Sequence, residues 1–279
     1  MRHAIGVDIG GTNIKAGLVA GNGRIIKKCI VKTEAKQGRA RVLANIFRAI
    51  EAVNSGNVIG IGVGCPGPFR DIKKGIIGKT PNLPLHNVNL KQAVEKRFRK
   101  KVAIDNDANC FVLAEAKLGA AKKSNVVVGL TLGTGVGGGI VISGKIFHGR
   151  GNAGELGHIF LNEDFDYYLA ERGVQRLCGS LRVRDSVELF ELANKGSRAA
   201  KEVWAKFGRI LGVLIVDIVH TLDPDIVVIG GGISKSWKHF SREMQQEISR
   251  KAIFPPCRAV RAKSADSGIL GAALLAFRP

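Results

Sequence analysis

Aromatic residues are scarce in this chain, at 6% of 279 residues, with two tryptophans and two tyrosines. A face that stacks successive nucleic-acid bases needs rings interleaved with basic side chains, and few rings stand among the basic residues here. Acidic residues are also few, 23 against 43 basic ones, which leaves a net charge of +20. That balance favours polyanions and phosphorylated small molecules. The basic residues are nevertheless dispersed, in Lys27-Lys28, Arg39, Arg41, Lys73-Lys74, the run from Lys96 to Lys101, Lys122-Lys123, Lys201 and Lys206. They read as a general surface bias, and a nucleic-acid partner is not expected. No apolar stretch reaches the roughly 18 uncharged residues of a membrane span. The longest candidate, Gly208 to Leu222, is broken by Arg209 and Asp217. Met1-Arg2-His3 leads straight into a strand-like run, so no signal peptide and no membrane partner are expected, and the location expected is cytoplasmic. The five cysteines, Cys29, Cys65, Cys110, Cys178 and Cys257, are odd in number and widely spaced. That excludes a knuckle of closely spaced metal ligands and suits buried free thiols in a reducing compartment.

What is present is an ordinary globular balance, 45% apolar and 24% charged, long enough for one or two domains. Residues 4–9 read as a buried strand, followed by a Gly10-Gly11 turn and strands at 14–19 and 25–31. Val42, Ile46, Ala49, Ile50 and Val53 share one face of a helix over 39–55. A strand at 58–63, a helix at 90–98, a short strand at 102–104 and a helix at 108–119 follow. The pattern then restarts. Strand 125–132, a glycine turn at 133–139 and strand 140–142 lead to helices at 187–193 and 199–220. Strand 226–229 and helices at 237–251 and 268–277 complete the chain. Each half thus opens with strand, glycine turn, strand. The expected fold is α/β, with two duplicated lobes and an interlobe cleft. The lobes expected are 1–112 and 113–265, with the last helix, about 266–279, packing back on the first.

Three glycine turns and two polar clusters carry the chemistry. Asp8 ends a strand before Gly10-Gly11-Thr12-Asn13. A carboxylate there can hold Mg2+ beside phosphate oxygens, while the glycines bare backbone N–H groups and Thr12 and Asn13 add donors. Lys15 adds positive charge if strand alternation puts it on the turn's side. A plain hairpin turn is the alternative. Gly133-Thr134-Gly135-Val136-Gly137-Gly138-Gly139 costs backbone entropy that makes sense where backbone approaches a ligand closely. It lacks the lysine ending of a Walker A loop and does not open a helix as a dinucleotide fingerprint does. Strand-bend glycines are the alternative to a phosphate cradle. Gly230-Gly231-Gly232 offers a flat surface for a nucleotide, or else a helix-entry turn with Ser234 as N-cap. In Asp105-Asn106-Asp107-Ala108-Asn109, Asp107 can take a proton from a hydroxyl while Asn106 bonds a neighbouring one. The same residues can also serve only as a helix cap. Glu155 and His158, three apart, face the same way on a helical turn and can clasp adjacent hydroxyls, unless His158 is structural. Two phosphate-cradling turns flanking a carboxylate point to phosphoryl transfer.

Taken together, these motifs resemble the ROK family of sugar kinases and repressors, within the actin-like ATPase superfamily. The resemblance runs along nearly the whole chain. It is carried by Asp8-Ile9-Gly10-Gly11-Thr12-Asn13-Ile14-Lys15, Gly64-Cys65-Pro66-Gly67, Thr80-Pro81-Asn82-Leu83, Asn106-Asp107-Ala108-Asn109, Leu132 to Gly139, Glu155-Leu156-Gly157-His158 and Ile229 to Ile233. It implies ribonuclease-H-like lobes closing on ATP and a hexose or amino sugar, glucose first. Asp107 is then the general base and Asp8 lies near Mg2+ and the phosphates. Gly67, Asn82, Asn106, Asp107, Glu155 and His158 match sugar-side positions. Gly133, Thr134 and Gly135 match the second phosphate loop, and Gly231 and Gly232 the nucleotide-side turn. Homodimers are common in such kinases. Related repressors carry a helix-turn-helix before the first turn, and seven residues before Asp8 leave no room for one. The departure lies after His158. Many relatives place a zinc-binding cysteine cluster there, with that histidine as a ligand. Here residues 159–168 contain no cysteine, so no structural zinc is expected. Zinc then cannot fix the second nitrogen of His158. A second sugar-binding glutamate falls on Tyr167 or Tyr168, or is served by Asp166 or Glu171.

Overall fold

The computed structural model describes residues 2–80 and 82–277; Pro81, in one of the motifs above, lies outside them. The first half runs β1 (His3–Ile9), β2 (Asn13–Ala20), β3 (Ile25–Lys32), α1 (Arg39–Val53), β4 (Ile61–Cys65), β5 (Phe69–Asp71), β6 (Ile76–Ile77), α2 (Leu90–Phe98), β7 (Val102–Asn106) and α3 (Asp107–Lys117). The second runs β8 (Val126–Leu132), β9 (Val136–Ile142), β10 (Lys145–Ile146), α4 (Phe165–Leu169), α5 (Glu171–Cys178), α6 (Ser186–Asn194), α7 (Arg198–Leu222), β11 (Ile226–Gly230), α8 (Trp237–Lys251), β12 (Arg258–Arg261) and α9 (Ser267–Ala276).

Two five-stranded sheets have matching orders, β3-β2-β1-β4-β7 and β10-β9-β8-β11-β12. In each, a strand pairs with the next strand in sequence on one side and with a parallel crossover strand on the other. The strand–glycine turn–strand echo in the sequence is therefore the start of each sheet. The chain forms two compact units, 1–122 with 139–154 and 264–279, and 123–138 with 155–263. Residues 113–122 and 139–154, placed in the second lobe on sequence grounds, group with the first unit.

In the first unit, β1 and β4 are buried on both faces and read as continuous apolar runs, as parallel strands covered by helices do. On one side α1 buries Val42, Ile46, Ala49, Ile50 and Val53 in a core with Ile5, Ile14, Val63 and Ile104. On the other, α9 lies across β1, β4 and β7 and against α3. Glycines in β1 and β4 permit this approach. A Cβ at Gly62 would sit 2.5 Å from the Ala272 carbonyl carbon, and one at Gly6 would sit 2.8 Å from the Ala273 nitrogen.

In the second unit the long helix α7 packs along α8. Trp204, Phe207 and Phe240 are wholly buried and meet at ring separations of 5.3 to 6.1 Å. Elements the sequence did not announce are the short β5–β6 hairpin, β10, β12 and the α4–α5 pair. Edge strand β12 reads Arg-Ala-Val-Arg and buries only Ala259, too little alternation to register as a strand. Helix α4 begins because Asp164 accepts a hydrogen bond from the Tyr167 amide. Among the described residues no helix is long and apolar enough to cross a membrane.

Candidate active site

In the first unit the parallel strands end together. Asp8 of β1 lies in register with Gly64 of β4, and Gly64 with Asp105 of β7. Carboxyl ends of parallel strands are where open α/β sheets bind ligands. Lys15 is the direct antiparallel partner of Asp8, and its Nζ stands 3.5 Å from Asp8 Oδ2. The alternation therefore places Lys15 on the turn's side. Burial pushes the Asp8 carboxyl above its ordinary range, and the Lys15 charge pulls against that. The Gly10–Asn13 turn is closed by Gly10 N–H donating to Asn13 O at 3.0 Å. Thr33, which the sequence did not single out, braces it: its hydroxyl donates to Gly10 O at 2.6 Å and its amide to Thr12 O. Gly11 and Thr12 are exposed. Exposed Asn82 comes beside this turn, since a Cβ on Gly11 would lie 3.5 Å from Asn82 Cβ.

Asp107 opens α3. Its Oδ1 and that of Asn106 both accept from the Ala108 amide, at 2.9 and 2.8 Å. Asn106 is the N-cap, so the capping and catalytic readings fall on different residues. Asp107 is half-buried. Its Cα would stand 3.4 Å from a Cβ on Gly64, the residue in register with Asp8, so Asp8, Lys15, Asn106 and Asp107 gather at one sheet edge. Its charge, after burial, raises the pKa of the fully buried Cys65 thiol. Half-buried Gly67 precedes Pro68 across a cis peptide. The loop that follows is held by Asn152, whose amide exchanges two hydrogen bonds with the Phe69 backbone, at 2.8 and 3.1 Å.

Beneath Asp107 lies a pair missed from sequence. Asp105, 4% exposed, accepts from the Asn106 amide and the Asn109 side chain, and its Oδ2 meets His148 Nε2 at 2.7 Å. His148 thereby ties the loop after β10 to the turn that carries Asn106 and Asp107. Asp105→Ala should lower kcat/KM about 10- to 100-fold and cost about 1 to 3 kcal/mol of stability, because truncating one side of a buried, hydrogen-bonded pair leaves the others unsatisfied and frees the turn that carries Asp107. Steady-state kinetics beside a melting curve measure this, and unaltered kcat/KM contradicts it.

In the second unit, β8 and β11 are parallel with Thr131 opposite Gly230, so the turns at Gly133–Gly135 and Gly231–Gly232 leave adjacent strand ends. Gly133 N–H donates to Gly135 O at 3.0 Å, and Gly133 O accepts from the Glu171 amide at 2.8 Å. Thr134 is exposed and a Cβ on Gly133 or Gly232 would meet nothing within 4 Å, leaving open backbone. Gly231 has φ +85°, a left-handed conformation that favours glycine. Ser234 is not the helix cap: its hydroxyl donates to Gly231 O at 2.7 Å, and α8 begins only at Trp237. Ser234 instead steadies the glycine turn.

Glu155 and His158 bound a single 3-10 turn, with the His158 amide donating to Glu155 O. Both are exposed residues. Desolvation of its carboxyl end raises the Glu155 pKa, which neighbouring His158 moderates. Nδ1 of His158 is 2.8 Å from Asp164 Oδ2, and this bond raises the imidazole pKa. Of the acids offered for a second sugar contact, Glu171 is committed to Ser186, accepting from its amide and its hydroxyl at 2.5 and 2.8 Å. Asp166 accepts from the Val136 amide at 2.7 Å, beside Gly135. The Tyr167 ring carries the Arg176 guanidinium, 3.9 Å from its centroid. Among the described residues no group of three or more His, Cys, Asp or Glu gathers for a metal ion. One imidazole beside one carboxylate is not a donor set for structural zinc.

These features agree with known proteins. The ROK family profile matches residues 4–278. A glucokinase of Thermotoga maritima is 34% identical, over 96% of this chain and 95% of its own. An N-acetyl-D-glucosamine kinase of Photobacterium profundum is 31% identical, over 97% and 98%. The crystal structure of a ROK family glucokinase from Streptomyces griseus, in complex with glucose and AMPPNP, superposes with a TM-score of 0.87 at 28% identity, covering 98% of both chains. The ribonuclease-H-like repeat, the glycine turns and these likenesses together place the chain in the ROK family.

Proposed function

We propose that this protein is an ATP-dependent sugar kinase that moves the γ-phosphoryl group of ATP to a hexose hydroxyl, with glucose and its 6-hydroxyl as first choice. The observation that carries the reading is Asp107, held at the start of α3 and packed on the residue in register with Asp8. Asp107 is the general base: its carboxylate orients the acceptor hydroxyl and takes its proton as the oxygen attacks phosphorus. Asn106, Asn82, Gly67, Glu155 and His158 hold the sugar. The turns Gly10–Asn13, Gly133–Gly135 and Gly231–Gly232 present N–H groups to phosphates and nucleotide, with Lys15 adding charge.

Mg2+ suits this chemistry, since it binds through one or two carboxylates together with substrate phosphates. Asp8, a single carboxylate at a strand end beside an N–H-rich turn, fits that demand and would hold the ion directly or through water. Bound there, Mg2+ would neutralise phosphate charge.

The experiment is a coupled ADP-release screen over glucose, mannose, fructose, allose, N-acetylglucosamine and N-acetylmannosamine. Release stimulated by glucose above the others supports the first choice; release with none of them removes the kinase reading. Kinship to an N-acetyl-D-glucosamine kinase at 31% identity supports the second reading, an amino-sugar acceptor. We place the enzyme in the cytoplasm, where ATP is made, as a homodimer, which analytical ultracentrifugation tests.

Sugar affinity should fall with acid. Glu155 accepts sugar hydroxyls when ionised, so binding is present above its pKa and lost below it. Because that pKa is raised, the loss should begin at higher pH than for an ordinary glutamate. The pH dependence of the glucose KM in Glu155→Gln, flattened against wild type, checks this.

A further inference from the structure

The chain between His158 and α4 holds one carboxylate whose two oxygens do different work. Asp164 Oδ1 accepts from the Tyr167 amide at 2.9 Å and caps α4. Its Oδ2 meets Nδ1 of His158 at 2.8 Å. The loop between them is closed on itself, with Leu161 N–H donating to Glu163 O at 2.9 Å and Phe165 N–H to Ile159 O at 3.0 Å. Phe165 is wholly buried and anchors the start of α4. The carboxylate is thus held by a helix end, not by a floppy side chain on a free loop.

An imidazole with a carboxylate on Nδ1 keeps a proton there. The neutral ring then has Nε2 as an acceptor, and its rotation about χ2 is fixed. Among the described residues Nε2 of His158 has no hydrogen-bond partner. Glu155 sits across the same 3-10 turn, close enough for each charge to shift the other.

We propose that Asp164 is the positioning residue that sets the ring orientation of His158 and the tautomer of its neutral form, leaving Nε2 to hydrogen-bond a sugar hydroxyl. The inference rests on the reading of His158 as a sugar contact.

The test compares wild type, Asp164→Ser, His158→Ala and the double variant. Serine keeps a cap oxygen for the Tyr167 amide but cannot hold the imidazole. Glucose and ATP kinetics are measured beside the imidazole 15N shifts of His158. Asp164→Ser is expected to raise the glucose KM about 5- to 10-fold, with the ATP KM and the melting temperature nearly unchanged, since a lost hydrogen bond to a fixed acceptor is worth about a factor of 10. The His158 ring should pass from one tautomer, Nδ1–H, to a mixture. The double variant should be no worse than His158→Ala alone. If His158→Ala raises the glucose KM while Asp164→Ser changes neither KM nor tautomer, the positioning role is overturned and the sugar reading survives. If His158→Ala leaves the glucose KM unaltered, the sugar-contact reading falls, and the proposal with it.

Discussion

Asp107→Asn is expected to lower kcat about 1,000-fold while glucose still binds with nearly its original affinity. The substitution is isosteric. Asp107 Oδ1 accepts from the Ala108 amide at 2.9 Å, a bond an asparagine oxygen can keep, and Asn106 continues to cap α3. The turn therefore survives and the sugar should still find its hydrogen bonds. What is lost is a group that can take the hydroxyl proton. A positioned general base contributes about 100- to 10,000-fold, or roughly 3 to 5 kcal/mol of barrier. Calorimetric titration with glucose should give a Kd within about threefold of wild type, as expected when an interaction made chiefly in the transition state is removed. A kcat within about tenfold of wild type would remove Asp107 from its role, since that is less than the smallest contribution expected of a positioned base.

Gly62→Ala is expected to cost about 3 kcal/mol or more of stability, the upper end of what overpacking a close-packed interior costs. Gly62 lies in β4, under α9, and an added Cβ would fall well inside contact distance of the Ala272 carbonyl oxygen and 2.5 Å from its carbon. Backbone stands on both sides, so no side chain can turn away to relieve the contact. Either α9 lifts from the sheet or β4 bends. The same holds at Gly271, where α9 crosses α3 and a Cβ would lie 2.9 Å from Cys110 Cα and closer still to its carbonyl. For a domain of this size the cost corresponds to a fall in melting temperature of about 6 to 12 °C. Gly232 is the control. Its φ of −60° and ψ of −43° suit any residue, and a Cβ there meets nothing within 4 Å. Gly232→Ala should change stability by less than about 0.5 kcal/mol. Denaturant midpoints for Gly62→Ala, Gly271→Ala and Gly232→Ala decide the matter; equal midpoints would contradict the close approach of α9.

Much of this architecture is legible from side-chain pattern alone. Helices α2 and α8 begin and end where the sequence placed them, because each has an apolar stripe between clear boundaries. The apolar run Val58-Ile59-Gly60 carries the expected strand three residues ahead of β4: Ile59 N–H and Gly60 O already bond to His3 and Ile5 of β1, but the paired register opens at Ile61. Helices α4 and α5 escaped notice because Asp164 to Cys178 mixes acids, bases and aromatics, and α4 has a single turn to display a period. The site divides in the same way. Asp8, Asp107 and the glycine turns are visible as local motifs. The Lys15–Asp8 pairing follows from strand register. The links from Thr33 to Gly10 and from His148 to Asp105 join residues 23 and 43 apart, and only the fold brings them together. The same is true of Asp164: its capping role lies in a local pattern, but its second oxygen on His158 depends on how the loop closes.

One reaction followed by 31P NMR tests the role of Asp107 most directly. Wild-type protein with ATP, Mg2+ and glucose should convert the γ-phosphate signal of ATP into a sugar 6-phosphate resonance in step with ADP. Under the same conditions Asp107→Asn should give almost none, although it still binds glucose. Inorganic phosphate in place of a sugar phosphate from wild type, or equal sugar phosphate from the Asp107→Asn variant, would contradict the claim that Asp107 directs phosphoryl transfer to a sugar hydroxyl.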